Sequence, residues 1–183
     1  MKSTKFSQSK LGATATLAAI GLAVLSGCTS EQGNAVPVST SPSTTTSSAR
    51  NVFTDLKACD VLNRSLDGMG FSPGVISTTG GDNGCSSDKS GYGALTLTLQ
   101  PDLSINDLNG DPSAMHKGEI NGRPAIQHRN GVRAEGDCAI AIEVTTTSRA
   151  LVNTSLTTGT TDEACTFIES IAKKVEPQLP KGN

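Results

Sequence analysis

The chain has 183 residues, a formal charge of −2, 19 Gly and no Trp, and only 3% of its residues are aromatic. Without a basic excess it lacks the clustered Lys and Arg that phosphate backbones require, which argues against a nucleic-acid partner. Setting aside a leader and a tether, roughly 130 residues remain, enough for one ordinary domain that would gain from covalent cross-links.

Lys2, Lys5 and Lys10 lie near the start, and no acid precedes Cys28. From Cys28 onward there are 12 basic and 17 acidic residues, a charge of about −5. Residues 11–24 are uncharged and largely apolar. A basic start followed by such a run is the build of a secretory signal. It is short for a spanning helix, which needs about 20 apolar residues. With no twin arginine, the general export route is expected.

Leu25-Ser26-Gly27-Cys28 closes the run. It resembles the lipobox of bacterial lipoproteins: an aliphatic residue, two small ones, then cysteine. The small residues let the chain enter a peptidase as an extended strand. The thiol is the nucleophile that takes a diacylglyceryl group as a thioether. Two acyl chains hold a membrane far better than one, at about 0.8 kcal/mol per buried methylene. The alternative is an ordinary signal peptide with an incidental Cys. The expected organisation is a signal peptide over 1–27, a lipidated Cys28 with a Ser/Thr-rich linker over 28–50, and an α+β domain over 51–183. Residues 39–48 are almost all Ser and Thr, too polar to bury a core, and read as a spacer.

With Cys28 lipidated, Cys59, Cys85, Cys138 and Cys165 remain. An even number in an oxidising compartment predicts two disulfides. Four cysteines allow three pairings; we expect Cys59–Cys85 and Cys138–Cys165, each closing a loop of about 27 residues and contributing about 3 kcal/mol in the chain-entropy model. A metal site and free thiols are the alternatives. No pair has the close spacing that zinc favours, so no metal is expected.

A helix is predicted over 53–67, capped by Thr54, with Leu56, Cys59, Asn63 and Leu66 on one stripe and Gly68 or Gly70 at its end. Residues 80–84 read as a turn. Residues 94–100 alternate strictly, with Leu95, Leu97 and Leu99 on one face of a half-buried strand that Pro101 ends. Residues 104–108 suit one helical turn. Residues 117–129 carry Asn121-Gly122, a strong hairpin turn, between short strands. Residues 137–147 form a strand with Cys138, Ile140, Ile142 and Val144 pointing one way. Its hairpin partner is expected over 150–156, turning near Ser148-Arg149. The last helix has a capping-box spacing in Thr160 and Glu163 and an apolar stripe of Cys165, Ile168, Ile171, Ala172 and Val175. Lys173 and Lys174 sit near its negative end, and Pro177 stops it. Together these predict an α+β fold: an antiparallel sheet with N- and C-terminal helices packed on one face, cross-linked by two disulfides.

Ala58-Cys59-Asp60-Val61-Leu62, Asn83-Gly84-Cys85, Ile120-Asn121-Gly122-Arg123-Pro124-Ala125, Gly136-Asp137-Cys138-Ala139-Ile140 and Ala164-Cys165 occur in that order. With the lipobox and linker, this order resembles the actinobacterial lipoproteins that carry domain of unknown function 3558. The resemblance covers about residues 51–181 and departs at Ala58 and Ser86, where the family commonly has proline and an aromatic residue. It implies an α+β domain on a cell surface and transfers no catalytic residue.

No nucleophile elbow, P-loop, dinucleotide fingerprint or H-E-x-x-H occurs. His116 and His128 are read as solvated. Asp107, Asn109 and Asp111 lack calcium-loop spacing and read as polar turns. Arg123, Arg129 and Arg133 read as a solvated hairpin edge rather than an anion patch. The sequence therefore predicts a non-enzymatic cell-envelope lipoprotein, without cofactor, held to the membrane by lipid on Cys28 and serving as a binding or interaction module. Its partner would be an envelope protein or a small apolar ligand. One rival is a lipid carrier whose Leu95/Leu97/Leu99 face lines a cavity. The other is an envelope hydrolase using His128 as general base.

Overall fold

The computed structural model describes residues 51–131 and 135–181. The expected signal segment, Cys28, the linker and Arg133 lie outside the described residues. In chain order the elements are α1 (Ala58–Leu66), β1 (Val75–Ser77), β2 (Gly84–Lys89), β3 (Gly93–Gln100), β4 (Met115–Ile120), β5 (Arg123–Arg129), β6 (Asp137–Thr145), β7 (Ser148–Leu156) and α2 (Thr161–Val175). Short 3₁₀ turns occupy Ile105–Asp107, Pro112–Ala114 and Glu176–Gln178. The strands form one antiparallel sheet in the order β1-β2-β3-β7-β6-β5-β4. The α+β class, the two terminal helices and both expected disulfides are present.

The helices share one face. Leu95, Leu97 and Leu99 of β3, Cys138, Ile140, Ile142 and Val144 of β6, and Ala150 and Val152 of β7 alternate onto it. They meet Val61, Leu62 and Leu66 from α1 and Ala164, Ile168, Ile171, Ala172 and Val175 from α2. The 3.6-residue period of the helices and the 2-residue period of the strands supply matching apolar surfaces. Cys59–Cys85 bonds α1 to β2, and Cys138–Cys165 bonds β6 to α2. Each helix is thus fixed to the sheet through its first turns.

α1 starts later than expected. Residues 52–55 form a turn in which the Thr54 hydroxyl donates to the Asn51 carbonyl at 2.6 Å, so Thr54 is not its cap. Phe53 enters the core instead, 2% exposed. The cap comes from a distant loop: Asn83 Oδ1 accepts from the Ala58 amide at 3.0 Å, and Asn83 Nδ2 donates to the Leu56 carbonyl at 2.7 Å. One side chain thereby satisfies the helix start and holds it beside the Cys59–Cys85 bond. α2 follows its sequence: Thr160 and Glu163 form the capping box, with Glu163 Oε2 accepting from the Thr160 amide at 2.8 Å.

β1 and β2 are not legible as strands. β2 reads Gly-Cys-Ser-Ser-Asp-Lys, with no β-branched residue, and owes its conformation to pairing with β3. The Asn121-Gly122 turn is as expected, with both residues at positive φ (51° and 84°). The β6–β7 turn falls at residues 146–147 rather than near Ser148-Arg149. Ser148 and Arg149 are buried inside β7, where Arg149 Nε donates to Gln100 Oε1 at 2.6 Å and Nη1 to the Ser104 carbonyl at 2.9 Å. That paired burial outweighs the turn preference of the dipeptide.

Asn83→Ala should destabilise the domain by about 1–2 kcal/mol, because it strips the α1 amide and the Leu56 carbonyl of their partner together. Urea titration is expected to show a lower midpoint at an unchanged m-value. Double replacement of Cys138 and Cys165 by Ala should cost about 3 kcal/mol in the same assay.

Candidate functional site

The sheet face away from the helices is divided. Over β5 and β6, residues 101–114 cover it, with Ile105, Ile126 and Ala141 forming a second small core together with Leu108, Met115 and Leu151. Two acids cap the short turns in this cover. Asp107 Oδ2 accepts from the Ser104 amide and hydroxyl, each at 2.7 Å, and Asp111 Oδ1 accepts from the Ser113 amide at 2.9 Å and its hydroxyl at 2.8 Å. These bonds favour the charged forms. The Ser104 hydroxyl and amide hold Asp107 below the usual carboxylate range, and the Ser113 amide and hydroxyl do the same for Asp111. Both acids are turn residues, as the sequence reading expects.

His128 is not solvated. It is 5% exposed, and residues 110 and 131 lie so close that a Cβ on Gly110 would fall 2.1 Å from its ring. The cover needs glycine there to lie flat on the imidazole. Among the described residues no hydroxyl or carboxylate hydrogen-bonds to His128, so the serine or acid that the hydrolase reading requires is not brought to it. His116 is exposed on edge strand β4, as expected.

The arginines differ from the expected solvated edge. Arg123 is largely buried: its Nε pairs with Glu176 Oε1 at 3.0 Å, and its Nη1 donates to the carbonyls of Glu143 at 3.3 Å and Pro180 at 3.0 Å. Arg129 pairs with Asp162 at the start of α2. Both tie the β4–β5 side of the sheet to the C-terminal helix.

Over β2, β3, β7 and β6 the face lies outside that second core. Register places Asp88, Ala94, Ser155 and Asp137 in one row across the four strands. The next row is Ser86, Thr96, Asn153 and Ala139. Alanine and serine stand between two acids, leaving a trough whose walls are about 14 Å apart at the backbone, three strand spacings. The cleft there measures about 570 Å³ and is also lined by Glu135 and Thr157, within the size range of small-ligand sites. Asp137 is 1% exposed, and its Oδ2 has no hydrogen-bond partner among the described residues. Asn153 Oδ1 likewise has none. Clefts of about 610 and 580 Å³ run beside residues 51–56 and beside Ile76, but neither is lined by a buried polar atom without a partner.

The Lys89 ammonium forms no salt bridge with the acids of the trough. Its Nζ donates to the Met69 carbonyl at 2.8 Å and stands 5.5 Å from the Tyr92 ring centre and 5.9 Å from that of Phe71. These rings pack with Phe167, Tyr92 edge-on at 5.2 Å and Phe71 stacked at 5.9 Å. Partial burial, and secondarily the charge of Glu163, raise the Tyr92 phenol above its ordinary value.

Among the described residues no group of three His, Cys, Asp or Glu could hold a metal ion, and no helix is long and apolar enough to cross a membrane. Leu95 and Leu97 are 0% and Leu99 1% exposed, packed under the helices. Their face is filled core, not the cavity lining that the carrier reading asks of it.

An antiparallel sheet with one helix-covered face and two helix-to-sheet disulfides defines a cross-linked α+β domain. The family model described as a protein of unknown function (DUF3558) matches residues 23–178, and the chain belongs to that family. No curated protein and no solved structure matches.

Asp107 and Asp111 add stability to the cover above the ordinary carboxylate pKa of about 4, and that contribution is lost as pH falls through their depressed folded values. Protection of the Ser104 and Ser113 amides, taken relative to the intrinsic exchange rate at each pH, should fall on acidification below about pH 4. Asp107→Asn should show fast exchange at Ser104 already at neutral pH.

Proposed function

We propose that the protein is a cell-envelope lipoprotein, anchored to the outer face of the membrane through diacylated Cys28, whose domain is a non-catalytic binding module. The observation that carries the reading is the cysteine distribution. Four of the five cysteines are consumed in two disulfides, which fits an oxidising compartment. The fifth, Cys28, stands alone at the end of Leu25-Ser26-Gly27-Cys28, after an uncharged run and a basic start.

The binding role is supported by how polar groups are spent. Asp107, Asp111, Arg123 and Arg129 serve as caps and inter-element ties. His128 is sealed under glycines. Among the described residues, the buried side-chain oxygens without a partner, Asp137 Oδ2 and Asn153 Oδ1, lie on the sheet face away from the helices. A surface tethered by a long polar spacer is suited to meeting a ligand outside the cell.

Fractionation of cells expressing the full chain tests the anchor. The wild type should partition into detergent with the membrane. Cys28→Ser should run larger by the uncleaved leader, whose apolar run still holds it to the membrane, and should no longer incorporate radiolabelled palmitate. An unchanged size and unchanged palmitate labelling for Cys28→Ser would remove the lipoprotein reading.

A further inference from the structure

We propose that the trough between Asp88 and Asp137 binds a cationic nitrogen donor, a primary ammonium or guanidinium group carried by an organic ligand. The proposal deepens the binding-module reading and rests on it.

The trough holds a buried acceptor that its own donors do not reach, although Ser90, Ser155 and Thr157 also line it and Asp88 Oδ2 accepts from the Ser72 hydroxyl at 3.5 Å. A carboxylate taken out of water is costly unless donors replace the lost hydration. Asp137 is 1% exposed and its Oδ2 receives none. Asn153 Oδ1 is in the same state. Ser155 faces Asp137 across the β6–β7 pair and Asn153 faces Ala139, so Asp137 and Asn153 are diagonal neighbours on one face, about 7–8 Å apart at the backbone. Asp137, unlike Asn153, lines the cleft, and an ammonium or guanidinium group there supplies its Oδ2 with the missing donor.

Charge points the same way. Asp88, Glu135 and Asp137 all line the cleft. The single cation in its lining, Lys89, spends its ammonium on the Met69 carbonyl and the Tyr92 and Phe71 rings. Among the described residues no salt bridge reaches any of the three acids. The acids are spread along the trough and do not converge as metal ligands, which matches an extended organic cation better than a point ion. Small side chains at Ala94 and Ser155 leave the floor open between the walls.

Isothermal titration of the full-length protein in detergent with 1,5-diaminopentane tests the site, with 1,5-pentanediol as the uncharged control. N-acetyl-lysine methylamide in a second arm separates a peptide side chain from a free amine as the source. The diamine should bind and the diol should not, with affinity falling as salt rises. Asp137→Asn should weaken diamine binding about tenfold or more. Asp88→Asn, on the exposed far wall, should weaken it less and serves as the second variant if Asp137→Asn fails to fold by circular dichroism. Equal binding of diol and diamine, or wild-type affinity in both variants, overturns the proposal. So does a wild type that binds no amine. If Arg133→Ala alone opens the site to the diamine, the occupant is the chain's own guanidinium and the proposal of an external ligand falls. Anchoring is read separately by the Cys28→Ser fractionation. An amine-blind trough on a membrane-bound protein sinks only the present inference, and a diamine-binding protein that never reaches the membrane sinks only the anchor.

Discussion

The attachment of each helix to the sheet at its first turns is the constraint on which the rest of the structure depends. The domain is poor in aromatic residues, and Trp is absent. Its core is built mainly of Leu, Ile, Val and Ala. Such a core is close-packed but modest in buried area per residue. Cys59–Cys85 and Cys138–Cys165 restrict the unfolded chain and add to that burial. At α1 the covalent bond is reinforced by Asn83, which also gives its carbonyl to the Leu99 amide at 2.9 Å. A short segment around residues 83–85 therefore joins helix, β2 and β3 at one point.

Fixing both helices on one side makes the two sheet faces unequal. The helix side is apolar and closed. The other side must satisfy its polar groups locally: over β5 and β6 it does so with the 101–114 cover and its acid-capped turns, and between β3 and β7 with the Gln100–Arg149 bond. Burial pulls the Arg149 guanidinium below its ordinary value, and the Asp107 charge opposes that shift. At the start of β6 and the facing part of β7 the solution is incomplete among the described residues: Asp137 Oδ2 and Asn153 Oδ1 are buried there without a partner. Real proteins depart from full polar satisfaction mainly where something else is meant to complete it.

Much of the architecture was legible because it rests on local signals. The Leu95/Leu97/Leu99 alternation, the Asn121-Gly122 turn, the Thr160/Glu163 box and the cysteine pairing all appear where the sequence indicates. What escaped was non-local. β2 has no strand propensity of its own and exists because β3 pairs with it. The α1 cap lies 25 residues away in Asn83, so Thr54 was a reasonable but wrong candidate. His128 was misread because glycines at 110 and 131, ordinary loop residues in sequence, fold over it. The trough was invisible for the same reason. Asp88 and Asp137 are unremarkable singly, and only strand order brings them to one row. A hint was available in Asp137, an acid opening an otherwise apolar strand.

The aromatic cluster has an optical consequence. Tyr92 is the sole tyrosine in a chain without tryptophan, so near-ultraviolet emission excited above the phenylalanine band comes from one ring. That ring sits between Gly91 and Gly93, whose backbone borders the acidic cleft, while its own faces touch Phe71, Phe167 and the Lys89 ammonium. The molecule thus carries a built-in, label-free lamp at one end of the β2–β3 hairpin. Its brightness and polarisation report on that corner alone, undiluted by signal from the rest of the fold.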